Sequence, residues 1–410
     1  MMRASHGLVL AVVGLLVVAT VMVNSASLSL SAAGDQGTTA ASIFASKHTW
    51  FAVSAAVALV IGMFMPVPKL LEVRSWRSPL VWIVGCMLLG LLLVHVPGIG
   101  REVNGAKRWI TLGPIGLQPS ELVKWGMPMV LAWYAVRYRE RMGEFRMGFL
   151  YPMLGAAFVC GIIATEDLGT ATLIMAVATC MLLAAGVRWV YVAALAPLGL
   201  LAFAGLIITS PYRVNRILAY LDPYADSQGI GYHIIQSMSA IAGGGVAGRG
   251  LGNGVQKFGY LPEGTTDFIY SIITEELGML GACAVVILYV MLVGCGMAIV
   301  TARGRRQDGT EAPLLPTSVQ LLGLGIVLTV GMQALINIMV VTGLAPTKGI
   351  ALPLMSRGGT GWILTALSLG LLVSMERAAD RQRRALGMPV PGDDGEEATA
   401  PAQTGATVTA

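Results

Sequence analysis

Charge is scarce in this 410-residue chain: Asp, Glu, Lys and Arg make up 12% of it, against the ~25% usual in soluble domains. With 55% hydrophobic residues and a mean hydropathy of +0.73, that scarcity excludes an ordinary water-soluble globular protein. Cysteine is also sparse. Cys86, Cys160, Cys180, Cys283 and Cys295 all lie within apolar runs and form no CxxC spacing, which excludes a disulfide framework and a thiolate zinc site. The histidines, His6, His48, His95 and His233, are too scattered to suggest metal ligation. Short segments of alternating hydrophobicity are missing too, and Leu8–Val23 and Val285–Val300 are apolar on every face, so a transmembrane β-barrel is excluded. No GK[ST] unit and no GxGxxG within a βαβ setting occurs, which removes a nucleotide site; no nucleic-acid partner is implied.

What is present is a series of apolar runs, most of roughly 17 to 25 residues, the length at which a helix crosses a hydrocarbon core of ~30 Å. They fall near 8–29, 50–65, 79–97, 120–136, 149–163, 170–187, 189–209, 268–301, 317–344 and 360–376. The expected fold is an all-α polytopic membrane protein of about ten transmembrane helices, with a large extracytoplasmic loop between helices 7 and 8. The first run follows Met1-Met2-Arg3 and lacks a small-residue cleavage site, so it is read as a retained span. The layout is then a cytoplasmic N-terminus at 1–7, a membrane domain at 8–376, and a disordered cytoplasmic tail at 377–410, of which 387–410 is rich in Pro, Gly, Ala and Thr. With the N-terminus inside, Arg3, Lys69, Arg74, Arg77, Arg137, Arg139, Arg141, Arg146, Arg188, Arg303, Arg305, Arg306, Arg377, Arg381, Arg383 and Arg384 are cytoplasmic, as the positive-inside rule asks.

The remaining polar residues concentrate in three segments on the opposite side, 98–119, 210–267 and 345–359. The longest contains Tyr212, Tyr220, Tyr224, Tyr232, Phe258 and Tyr260 among charges and glycines, a mixture suited to short helices and turns packed on the bundle. Ionisable residues near membrane depth are costly unless they face a cavity or a partner. Asp267 stands at the mouth of the eighth run, where it can meet a substrate or serve as an N-cap. Glu275 and Glu276 follow roughly 12–14 Å further along a straight helix, which suits a structural ion pair with an arginine. Asn104-Gly-Ala-Lys107-Arg108-Trp109, with Gln118-Pro-Ser-Glu121 and Lys124, suits an anionic head group. Arg213, Arg216 and Asp222 precede a glycine run from Gly243 to Gly254 and then Gln256-Lys257, where bare backbone amides could meet phosphate oxygens. Pro346-Thr-Lys348-Gly349 and Ser356-Arg357-Gly-Gly359 read as a broken helix beside a polar cavity. Asp167, in Glu166-Asp167-Leu-Gly-Thr170, reads as a turn or cap residue.

Taken together and in order, these segments resemble the SEDS family (FtsW, RodA and SpoVE): GAxRWI with QPSE, a DLGT turn, a long loop with QS and GxGxGxxQK, LPExHTDFI and PTKGxxLPLxSYGG. The likeness runs from about Trp82 to Arg377. Tyr260-Leu-Pro-Glu263, Gly250-Leu-Gly-Asn-Gly254 and Pro346-Thr-Lys-Gly349 lie closer to the division and sporulation branch than to the elongation branch. The resemblance implies ten transmembrane helices in the bacterial inner membrane, both termini cytoplasmic, at the division septum. It implies a glycosyltransferase that polymerises lipid II outside the membrane, releasing undecaprenyl diphosphate, with a class B penicillin-binding protein and other divisome membrane proteins as partners. A lipid II flippase and a non-catalytic scaffold for that transpeptidase are the alternatives. Asp267 is selected as the catalytic acid, acting as general base toward the acceptor hydroxyl. Lys348, Arg213 and Arg216 become diphosphate contacts, and Lys107, Arg108, Gln236, Ser237, Gln256, Lys257, Glu263 and Ser356 further substrate contacts. No cofactor is required; a divalent cation, Mg or Mn, would enter with the substrate diphosphate. Four positions depart from the pattern: Thr265 replaces His, Arg357 replaces Tyr, Glu166 often-found Pro, and His233 often-found Gln.

Overall fold

A computed structural model describes residues 3–31, 46–73, 75–103, 106–112, 115–305, 311–357, 359–386, 388 and 390. Each of the ten apolar runs coincides with a helix: α1 (Ala4–Ser31), α2 (Lys47–Phe64), α4 (Pro79–Leu93), α5 (Pro119–Arg137), α6 (Tyr151–Glu166), α7 (Leu168–Ala184), α8 (Trp189–Ile208), α11 (Ile269–Val300), α12 (Thr317–Val341) and α13 (Gly359–Ala385). Shorter helices fill the gaps: α3 (Val67–Leu70), and α9 (Pro211–Leu221) and α10 (Tyr232–Gly244) within the long loop. Seven helices are long and apolar enough to cross a membrane by length and composition, among them Phe145–Glu166, where a π-helical turn leads into α6. Helices α4 and α7 are apolar but shorter. Helix α5 carries Glu121, Lys124 and Arg137 along its 19 residues.

Small residues set how closely the helices approach. Gly62 of α2 and Gly370 of α13 face each other, and a Cβ on either would fall 2.3 Å from a carbonyl oxygen of the other helix, Leu367 or Leu59. The two backbones therefore touch along a small-residue seam, the usual basis of helix association in lipid. Helix α8 has no buried residue and stands at the edge of the bundle.

Three expectations need correction. The chain is not wholly α: the segment 98–119, read as an extracytoplasmic segment, holds β1 (Gly100–Val103), β2 (Ala106–Leu112) and β3 (Ile115–Leu117), an antiparallel sheet in the order β1-β2-β3. The fold is thus helical with a small sheet on one end, together with a two-stranded ribbon of β4 (Arg303–Arg305) and β5 (Glu311–Pro313). Second, the stretch assigned to a tail from 377 continues as helix to Ala385, where Asp380 pairs with Arg383 at 2.9 Å one turn on and approaches Arg3 at 3.9 Å. The rest of that expected tail, apart from 386, 388 and 390, lies outside the described residues.

Third, the eighth run is not one straight span. Gly278 sits at φ 67°, ψ −168°, a conformation essentially restricted to glycine, and breaks α11 into two arms. Tyr270 Oη donates to the carbonyl of Ala282 at 3.3 Å, although these residues would lie about 18 Å apart along a straight helix. The arms therefore fold back on each other, and Glu275 and Glu276 sit beside the bend rather than along one straight axis. Helix α10 runs beside the first arm, held by Ser237 Oγ against Ser271 Oγ at 2.7 Å, with Gly244 against the backbone of Thr274.

Candidate functional site

A cavity of about 770 Å³ opens where the segment leading into α11, the N-terminus of α7, the loop 345–357 and the sheet converge. Into it reach Arg108 from β2, Glu121 and Lys124 from α5, Asp167 at the cap of α7, Arg216 from α9 and His233 from α10, with Glu263, Asp267, Lys348 and Arg357 from connecting segments. With Asp226, which also lines the cavity, five carboxylates face five cations, but they are not all neutralised by one another. Lys124 Nζ pairs with Glu121 at 2.7 Å. Asp167 caps α7, accepting from Thr170 N at 3.0 Å and Thr170 Oγ1 at 2.8 Å, so its cap reading holds and it also lines the cavity. By contrast, no ion pair within 4.0 Å joins Arg108, Arg216, Lys348 or Arg357 to a carboxylate among the described residues. Arg108 Nε is buried with no hydrogen-bond partner. Lys348 Nζ stands 5.4 Å from the Phe203 ring, and Arg216 lies over Tyr212 and donates to the Thr347 carbonyl at 3.4 Å.

Asp267 does not cap the helix it precedes: the capping position of α11 is Phe268, with no side-chain bond. Its carboxylate makes no hydrogen bond with the described residues, and Oδ2 lies 3.2 Å from where a Cβ on Gly349 would stand, with Arg108 Nη1 3.9 Å from the same point. Burial first, and the negative charge of Glu263 second, push this carboxyl up to about 7, against the opposing pull of Arg216 and Arg108. Burial lowers the Lys348 ammonium, partly countered by Asp167. Burial, and then Arg216, lower His233, whose ring stacks on Phe268 at 6.0 Å and whose Nδ1 is buried without a partner. The backbone here is strained: Glu263 and Leu354, both lining the cavity, hold φ of 55° and 60°.

Of the residues singled out from sequence, the cavity gathers Asp267, Lys348, Arg216, Arg108, Glu263 and Ser356. Arg213 is elsewhere, donating to the carbonyls of Ala164, Thr165 and Leu206 and so tying the ends of α6 and α8 together. Lys107 is exposed on the sheet, its backbone N–H donating to Glu166. Gln236 does not line the cavity, and Ser237 is buried between Ser271 and the Val341 carbonyl. Gln256 and Lys257 belong to a separate cluster at the bend of α11. There Lys257 Nζ pairs with Glu276 at 2.7 Å, Arg249 with Glu275 at 3.3 Å, and the amides of Gly252, Val255 and Gln256 bond the same two carboxylates. The glycine loop thus wraps two buried carboxylates rather than offering its amides to a phosphate.

His233, Asp167, Asp226 and Arg357 belong to the cavity although sequence reasoning did not choose them as site residues. Asp167 could have been found from its place between two apolar runs; Asp226 carries no local signal. Gln333 and Asn337 on α12, both buried, were not flagged at all. Each looks in sequence like an isolated amide within an apolar helix. Among the described residues, no three His, Cys, Asp or Glu side chains converge as a metal-binding group.

A sequence model of the FtsW/RodA/SpoVE cell cycle proteins matches residues 6–381. The chain belongs to that family. It is 38% identical over 380 residues to a probable peptidoglycan glycosyltransferase FtsW of Aromatoleum aromaticum, covering 91% of this chain and 88% of the relative. It is 39% identical to stage V sporulation protein E of Bacillus subtilis over 306 residues, 74% of this chain and 80% of that one. Among solved structures, a chain of a peptidoglycan synthase complex that coordinates polymerization and crosslinking superposes with a TM-score of 0.63 at 28% identity, covering 91% of this chain and 97% of that chain. The Thermus thermophilus rod shape determining protein RodA shares the fold, with a TM-score of 0.52 at 24% identity over 90% of this chain and 96% of its own.

Proposed function

We propose that this chain is a peptidoglycan glycosyltransferase of septal wall synthesis, polymerising lipid II with Asp267 as general base. The observation that carries the reading is the unbonded Asp267 carboxylate in a cavity whose cations Arg108, Arg216, Lys348 and Arg357 lack carboxylate partners within 4.0 Å among the described residues. Glycosyl transfer needs a base for the acceptor hydroxyl and positive charge for the departing diphosphate. The acceptor oxygen bonds to the anomeric carbon of the donor sugar as the bond from that carbon to the diphosphate breaks. The hydroxyl proton passes to Asp267, and the electron pair leaves on undecaprenyl diphosphate, held by Arg216, Lys348 and Arg108. A carboxyl raised to about 7 is a far better base at neutral pH than one near ~3.9, because general bases work best near the operating pH.

On this reading the cavity opens to the outer face of the inner membrane, both termini are cytoplasmic, and ten helices span. The likeness to a chain of a polymerizing and crosslinking complex supports a class B penicillin-binding protein as partner. The test is glycan-strand synthesis from labelled lipid II by the purified chain with its cognate transpeptidase, for wild type, Asp267→Ala and Asp267→Asn at matched expression. Product from the wild type alone supports the assignment. Full product from both variants removes Asp267 from the mechanism, and none from any form turns the reading toward transport or scaffolding.

A further inference from the structure

We infer that Asn337 is the positioning residue of the proposed transfer: its side-chain amide locks the backbone of Asp267 to the loop that carries Lys348. The inference rests on the glycosyltransferase reading above. Asn337 is 1% exposed on α12, and its Nδ2 donates to the carbonyl of Asp267 at 2.8 Å and to that of Ile350 at 2.8 Å. Both neighbours are pure acceptors, so the amide nitrogen, with its two hydrogens, must face them, and neither hydrogen is left over. Ile350 is two residues from Lys348 and one from Gly349, the residue beside Asp267 Oδ2. A single side chain therefore sets the distance between the group that takes the proton and the group that meets the leaving charge.

The neighbouring amide does a different job. One turn earlier, Gln333 donates to the Ala351 carbonyl at 2.7 Å and accepts from Lys124 at 3.0 Å, so it braces the same loop against α5 without touching Asp267. Only Asn337, among the described residues, bonds both the Asp267 backbone and the 345–357 loop through one side chain. Neither segment has a regular element of its own there, and Glu263 and Leu354 nearby hold positive φ, so the backbone needs an outside constraint to stay in register. Nucleophile, base and leaving group must be held within fractions of an ångström, and a misplacement of about 1 Å can cost ~10²-fold in rate.

The test uses the full chain in complex with its transpeptidase and labelled lipid II, comparing Asn337→Asp and Asn337→Leu, which lose the paired donors, with Asn337→Gln, which keeps the amide on a side chain one methylene longer. The expected result is a kcat lowered by about 10- to 100-fold in the Asp and Leu variants with KM within about threefold. Gln is expected to recover part of the loss, and the acid limb of the pH–rate profile of the uncharged Leu variant to move to lower pH as a loosened Asp267 gains water. A folded Leu or Asp variant with wild-type kcat overturns the inference. So does an equal loss in Gln and Leu with the acid limb unmoved, which marks a purely structural amide. Should the Leu form fail to fold, the isosteric Asp form, read by kcat, takes its place against Gln. Asp267→Asn is run alongside: if it keeps full activity the glycosyltransferase mechanism itself fails, whereas its inactivity beside normal Asn337 variants sinks only the positioning role.

Discussion

At the scale of single residues, the chemistry depends on a half-buried carboxyl whose charge is poorly solvated. Asp267 titrates at about 7 when folded and near ~3.9 when unfolded, so between those values the folded chain holds a proton that the unfolded chain has released. Stability therefore falls as pH rises through that window, and the penalty is fully present above it. Asp267→Asn is expected to raise the melting temperature in detergent at pH 8 and to leave it nearly unchanged at pH 4; equal shifts at both pH values would refute the burial argument. Activity runs the other way, requiring the ionised form, and its acid limb is expected near pH 7. Glu263 is the second cause of the raised value, after burial, so Glu263→Gln removes a like charge. The acid limb of the variant is expected to move to lower pH, read from initial rates of lipid II polymerisation between pH 5 and 9 at constant ionic strength.

At the scale of elements, the break in α11 decides where everything else lies. A straight helix would carry Glu275 and Glu276 onward from Asp267 along one axis, and the glycine loop would be free to meet substrate. The fold-back at Gly278 instead puts the two glutamates at a bend, where the glycine loop closes over them. A Cβ at Gly278 would meet Gly248 N at 2.3 Å and the Val246 carbonyl at 2.4 Å, on top of a backbone conformation that costs a side-chain-bearing residue about 1–3 kcal/mol. Gly278→Ala is therefore expected to destabilise the chain by about 3 kcal/mol or more, seen as a lower melting temperature of the purified protein and reduced yield. A variant as stable as the wild type would mean that the bend is not needed.

At the scale of the whole molecule, the seam between α2 and α13 holds one side of the cavity, since α13 begins at its rim with Thr360, Gly361 and Trp362. Gly62→Leu cannot fit against a carbonyl 2.3 Å from its Cβ and is expected to push the helices apart. The readout is a loss of monodisperse protein on size exclusion, with lipid II polymerisation lost along with it; a folded, active variant would show the seam to be incidental.

How much of this was legible in the chain itself follows from which interactions are local. Apolar run length marked the helices, because spanning ~30 Å of hydrocarbon is a one-dimensional requirement. Ordered motifs identified the family and singled out Asp267, with Lys348, Arg213 and Arg216 together as diphosphate contacts. The sheet was within reach, for Asn104-Gly105 is a strong hairpin dipeptide, but the surrounding apolar runs drew attention to helices alone. What the sequence by itself determined was a helical membrane protein with one outstanding acid. Tertiary structure alone decided that Arg213 braces helix ends while Arg216 faces the cavity, that Gln256 and Lys257 wrap the bend, and that Asn337 joins two distant segments. Those outcomes depend on contacts between residues 48 to 131 positions apart in the case of the two arginines, and 70 positions apart for Asn337 and Asp267. No local pattern encodes such contacts, because they exist only once a helix has folded back on itself and brought a loop against its side.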